Sequence, residues 1–232
     1  MGSAAGFGEP LSAPETLVRY LNRSQSTCRL EDQAIEMDIQ ASLPKLKKQG
    51  TMHGLKVISS SGQVAYRFLR FTGDKLIKTD VIARFLTAEA QPPEHLGDIA
   101  ITRGNYKFHF QRTADFQGTT AYVYQLHPKK KRAGLFKGEL WLDGANGTPL
   151  RESGELVKSP SIFIQHFRFV RDYPEHASCV APNRTSIMVQ TRIAGNAEMV
   201  VLQHPVADTW QPEVAEDVTD ITISTRNDGN QQ

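Results

Sequence analysis

From Ala34 onward the apolar residues of this chain recur at every second position, and that period constrains the fold more than any other feature. Ile35, Met37, Ile39 and Ala41 alternate with Glu36, Asp38, Gln40 and Ser42. This is the pattern of a strand with one dry and one wet face. Further strands are expected at 51–59, 63–72 and 77–86, with turns at Ser60-Ser61-Gly62 and Gly73-Asp74. Pro92-Pro93 and Gly97 interrupt the series, and a segment of that length reads either as a cover over an opening or as a plain surface loop with one helical turn. Alternation then resumes at Tyr106, Phe108 and Phe110, at Tyr122, Tyr124 and Leu126, and over 135–143, 149–158, 162–173, 185–193 and 198–204. With no βαβ rhythm, the expected fold is mainly β: one strongly curved antiparallel sheet of about eleven strands, an incomplete barrel.

One helix stands apart from the strands. Ser12-Ala13-Pro14-Glu15 has capping-box spacing with Pro in the first turn, and Leu17, Val18 and Leu21 follow at helical intervals. A helix over 12–24 is expected to lie as a lid across the open side, held by those three residues. Met1-Gly2-Ser3 reads as an expression-vector remnant at the head of a flexible stretch over 1–11. A single domain is expected over 12–210, with an acidic and polar tail over 211–232 left flexible.

Charge narrows the partners. Lys and Arg number 27 against 25 Asp and Glu, a net charge of +2, so the chain projects no field that would gather nucleic acid. No apolar run approaches the roughly 20 residues of a membrane helix, and a soluble monomer is expected. The one charge run, Lys129, Lys130, Lys131 and Arg132, reads either as a solvated hairpin tip or as a contact for anionic lipid headgroups. Cys28 and Cys179 fit no metal or redox spacing. They are either two separate thiols or a disulfide from the helix end to a late loop, which would require an oxidising compartment.

Reactive chemistry has little support. The seven histidines form no i, i+4 pair and no H-x-H pair, and neither a G-x-S-x-G elbow nor a glycine-rich phosphate loop is present. Glu36 with Asp38, and Asp172 with Glu175, are ordinary wet-face charges. No enzyme, catalytic residue, metal or cofactor is expected. Apolar surface is the more informative signal. Tyr66, Phe68, Tyr106, Phe108, Phe110, Tyr122 and Tyr124, with Ile35, Met37 and Ile39, are expected to share the concave face. A single short helix cannot cover that face. Either the sheet folds over itself or it keeps a ligand cavity lined by these residues.

The run Tyr122-Val123-Tyr124-Gln125-Leu126-His127-Pro128-Lys129 leads to Gly134-Leu135-Phe136-Lys137-Gly138-Glu139-Leu140-Trp141-Leu142-Asp143 and then Pro149-Leu150-Arg151. This ordered set resembles the central segment of the LolA/LolB-like superfamily of periplasmic lipoprotein-sorting carriers and related envelope proteins. The resemblance implies a half-barrel with a helical lid, secretion into the periplasm of a Gram-negative bacterium, and an acyl chain, lipid or lipoprotein as ligand. For the family's lid-locking arginine there are three candidates, Arg67, Arg70 and Arg84. The alternative reading is an envelope protein-interaction or sensor module with a filled core.

Overall fold

In a computed structural model, the described residues are 11–24, 33–59, 63–90, 99–160, 162–174, 181–192 and 195–206. Ten antiparallel strands form one sheet: β1 Gln33–Leu43, β2 Lys48–Ile58, β3 Val64–Gly73, β4 Tyr106–Phe116, β5 Thr119–Pro128, β6 Phe136–Asp143, β7 Pro149–Leu156, β8 Ile164–Asp172, β9 Arg184–Thr191 and β10 Asn196–Pro205. Their order is β3-β2-β1-β10-β9-β8-β7-β6-β5-β4. The chain thus builds one wing with β1 to β3, crosses to the far edge at β4, and meanders back until β10 pairs with β1. The two edges do not pair, so the sheet is an open, curved half-barrel.

Helix α1, Ala13–Ser24, starts where the capping box places it. The Glu15 carboxylate accepts hydrogen bonds from the Ser12 amide at 2.9 Å and the Ser12 hydroxyl at 2.6 Å. These bonds hold its pKa below the ordinary glutamate value. Tyr20 and Leu21 are buried and Ala13 and Leu17 pack against the same cluster, whereas Val18 is 46% exposed. At about 100° per residue the inward stripe runs through 13, 17, 20 and 21, and position 18 falls outside it. Val18 therefore does not join Leu17 and Leu21 in holding the lid.

The strand expected over 77–86 is a helix. A π-helical turn, Ile77–Ile82, continues into α2, Ala83–Ala90. Ile77, Ile82 and Leu86 are fully buried and Val81 and Phe85 pack beside them, which is a helical stripe of i, i+4, i+5, i+8 and i+9. The β-branched residues suggested a strand, but their spacing is helical. This substitution also accounts for ten strands rather than about eleven.

The helices divide the concave face into two packed halves. Under α2 and its π turn lie Met37, Ile39, Met52, Tyr66, Leu69, Met199 and Val201. Under α1 lie Tyr106, Tyr124, Leu126, Leu135, Phe136, Leu140, Leu142 and Phe169. Ile187 on β9 touches the margin of both.

Candidate functional site: two lids over one concave face

The α2 half is floored by flexible side chains. Met37 pairs with Gly54 across β1 and β2, Ile39 with Met52, and Ala41 with Met199 across β1 and β10. Three of the chain's five methionines, Met37, Met52 and Met199, are therefore buried in this floor. Methionine is unbranched and polarisable, so such a floor can repack around different apolar shapes.

The next position on the same strand face is Lys56, opposite Tyr66 on β3 and Ile35 on β1. A charge on a dry face needs a partner, and α2 supplies one. The Lys56 Nζ lies 2.5 Å from a Glu89 carboxylate oxygen, and the Tyr66 hydroxyl donates to the other oxygen at 2.7 Å. Burial, then the Glu89 charge and hydrogen bond, push the Tyr66 phenol well above its ordinary pKa. The C-terminal turn of α2 is thus fastened to the floor by one carboxylate. None of the three candidate lid-locking arginines makes this contact. Arg84 pairs with Asp80 on its own helix, Arg67 is exposed, and Arg70 stands opposite His53 on β3. Lys56 and Glu89 were missed in the sequence, although a lysine at the dry-face period of β2 was a visible signal.

The α1 half is built differently. The Tyr122 hydroxyl donates to the Leu11 carbonyl at 2.8 Å and the Tyr124 hydroxyl to the Ala13 carbonyl, fixing the start of α1 to β5. Rings interlock beneath it: Tyr106 and Phe136 lie 5.6 Å apart, and Phe136 and Phe169 meet edge to face at 4.9 Å. Glu152, 6% exposed, is opposite Arg171 in register and accepts its hydrogen bond at 3.4 Å. The Tyr173 hydroxyl also bonds Glu152, and burial followed by the Glu152 charge raises the pKa of both Tyr20 and Tyr173.

Among the expected wall residues, Ile35, Met37, Ile39 and Tyr66 lie in the α2 half and Tyr106, Phe108, Tyr122 and Tyr124 in the α1 half. Phe68 and Phe110 do not lie sheltered with them. Phe68 is 37% exposed, with φ of +53°. Gly54 faces a β-bulge there, with His53 opposite Arg70 but Leu55 opposite Arg67, so the inward series continues through Leu69 instead. Phe110, 51% exposed, precedes a second bulge on β4 and rests edge-on against Tyr122 and Tyr124. Tyr122 and Tyr124 face the helix as expected, yet Ala121 and Val123 are fully buried too. Ala121 joins Phe116, Leu150 and Trp141 in a small cluster on the convex face.

A depression of about 430 Å³ opens over the ends of β10, β1, β2 and β3, and another of about 450 Å³ runs along the outer side of α1 past Val18. The basic loop residues Lys129, Lys130 and Lys131 are exposed, and Lys129 donates to the Arg103 carbonyl at 2.6 Å. Cys28 and Cys179 lie outside the described residues.

No family model and no curated protein matches the chain. Solved structures do. A LolA superfamily protein from Nitrosomonas europaea is similar at 13% identity, covering 85% of this chain and 94% of that one, with a TM-score of 0.39. A domain assigned to outer membrane lipoprotein sorting from Vibrio parahaemolyticus is 13% identical over 83% and 91%, with a TM-score of 0.41. A DUF1329 family protein from Desulfovibrio piger is 9% identical over 81% and 90%, with a TM-score of 0.38.

Proposed function

We propose that this chain is a non-enzymatic carrier of the bacterial periplasm that takes an acyl chain, as a lipid or as the lipid part of a lipoprotein, onto the sheet beneath α2. The observation that carries the reading is the contrast between the two lids. One covers interlocked aromatic rings and is tied by two tyrosines to backbone carbonyls. The other covers three methionines and is fastened at its far end through the Glu89 carboxylate. It also begins in a π turn, a rare geometry that recurs at functional sites. Lifting α2 would expose Met37, Ile39, Met52 and Met199, and an acyl chain would replace Ile77, Ile82 and Leu86 as their cover.

In this reading Glu89 is a positioning residue that sets how often the lid opens. Losing a charge-assisted contact of about 2 kcal/mol would raise the open population roughly 30-fold. Glu89→Ala is therefore expected to speed uptake of a fluorescent C16 fatty acid by tenfold or more, measured by stopped-flow fluorescence, while far-ultraviolet circular dichroism stays unchanged. Native mass spectrometry of the purified parent should show a bound acyl species. A parent that carries no such species and takes up no probe would sink the carrier reading and favour a protein-interaction module with a filled core.

A further inference from the structure

We infer that one rim of the half-barrel docks on an anionic phospholipid bilayer, with the β7–β8 loop entering the headgroup layer. The antiparallel order sends the β1–β2, β5–β6, β7–β8 and β9–β10 connections to the same end of the sheet. Those connections, residues 44–47, 129–135, 157–163 and 192–195, contain eight Lys and Arg and no Asp or Glu. The rest of the chain holds 19 Lys and Arg against 25 acids. These four connections are therefore cationic, while the β3–β4 connection, which also starts and ends here, opens with Asp74, held by Lys48 at 3.3 Å. Lysine-tipped hairpins are ordinary singly; four acid-free connections at one end are not.

The same rim presents apolar side chains. Ile162 is 79% exposed and Phe163 58% exposed, adjacent in the β7–β8 loop, and Leu46 in the β1–β2 connection is 45% exposed. The loop is held out by its own bonds. Arg192 Nε donates to the Ile162 carbonyl at 2.9 Å, the Arg192 amide to the Phe163 carbonyl at 3.0 Å, and the Ser159 hydroxyl to the Ile164 carbonyl at 2.7 Å. With these carbonyls satisfied inside the protein, the backbone need not be stripped of water when the tip enters lipid. Apolar tips flanked by Lys and Arg match the bilayer interface, where acyl tails meet phosphates.

The convex face beside this rim has the same sign. Lys107 stands opposite His127 in register, and Lys137 follows on β6. Burial first, then Lys137, His109 and Lys107, lower the His127 pKa. The acids reaching this area are engaged: Glu139 holds Arg112, and Glu155 holds His166 and Arg168. An anionic surface would add counter-charge to Lys107, Lys137 and the exposed lysines of this rim. Docking needs only the closed protein, and so does not depend on acyl uptake beneath α2.

Sedimentation with vesicles tests it. The parent should partition onto equimolar phosphatidylcholine and phosphatidylglycerol vesicles, not onto pure phosphatidylcholine, and should be released by high salt. Replacing Lys129, Lys130 and Lys131 by Gln should weaken binding roughly 100-fold, at about 1 kcal/mol per lysine. Ile162→Ser with Phe163→Ser should weaken it at least about tenfold. Because all five rim positions are exposed, a fold defect is checked by thermal melting, and Phe163→Trp gives a second measurement: the added fluorescence should be quenched by brominated lipid. A parent that ignores phosphatidylglycerol vesicles, or an unquenched indole in Phe163→Trp, overturns the inference and leaves an acidic protein surface as the partner for this rim.

Discussion

Gly138→Ala is expected to destabilise the protein by about 3 kcal/mol, whereas Gly104→Ala changes stability by less than about 0.5 kcal/mol. Gly138 pairs with Gly154 across β6 and β7. A Cβ on Gly138 would stand 1.9 Å from the Ser153 carbonyl oxygen and 2.5 Å from the Gly154 Cα. Both are backbone atoms, so relief requires the strands to separate and the ladder to weaken. The closeness has a purpose in the packing. Gly154 leaves room for the Phe136 ring, which a Cβ there would meet at 2.5 Å, and that ring in turn packs edge-on against Phe169. At Gly104 the nearest atom to an added Cβ is the Thr102 hydroxyl at 3.5 Å, ordinary contact. Urea denaturation of both variants measures the difference. Equal midpoints would show that β6 and β7 separate at little cost.

Much of this architecture was legible because the strand period is written out in β1. Ile35, Met37, Ile39 and Ala41 alternate cleanly because only one face of that strand is dry. Alternation stops being a guide where two faces are used or the ladder slips. On β5 both Tyr124 and Ala121 are buried, since Phe116, Trp141 and Leu150 build a second small core behind the sheet, and no alternation can show that. Phe68 went astray for a different reason: it sits in a bulge, where one extra residue turns a side chain to the other face. Phe110 keeps the face of Tyr122 and Tyr124, edge-on to both, but stays 51% exposed at the margin of the α1 cluster. The π turn and α2 were hidden by Ile77, Val81 and Ile82, whose β-branched shape favours strands even though their spacing is helical. The Glu89 contact was out of reach for a simpler reason. Its partners, Lys56 and Tyr66, are 33 and 23 residues away, and only the helix brings them together.

Between pH 10 and pH 11 the protein is expected to lose about 4 kcal/mol of stability, and so to unfold cooperatively at or just above pH 11. The cause is phenols that the fold keeps neutral. Tyr20, Tyr66, Tyr106 and Tyr124 are each at most 8% exposed. Burial is the leading cause of an upward shift in all four, taking Tyr106 and Tyr124 to about 12 and Tyr20 and Tyr66 well above their ordinary value. A folded pKa raised above the unfolded one means the unfolded chain releases its protons first. The stabilisation is therefore complete below pH 10 and is lost as pH climbs from the unfolded value toward the folded ones. Each phenol's loss steepens through that window toward about 1.4 kcal/mol per pH unit, and four of them acting together approach the whole stability of a typical domain. The two halves share the effect, since Tyr66 belongs to the α2 contact and the other three to the α1 core. Absorbance at 295 nm should consequently rise in step with the loss of ellipticity for these tyrosines. Smooth titration of all six tyrosines near pH 10, with the circular dichroism unchanged, would mean that neither lid excludes water from the phenols beneath it.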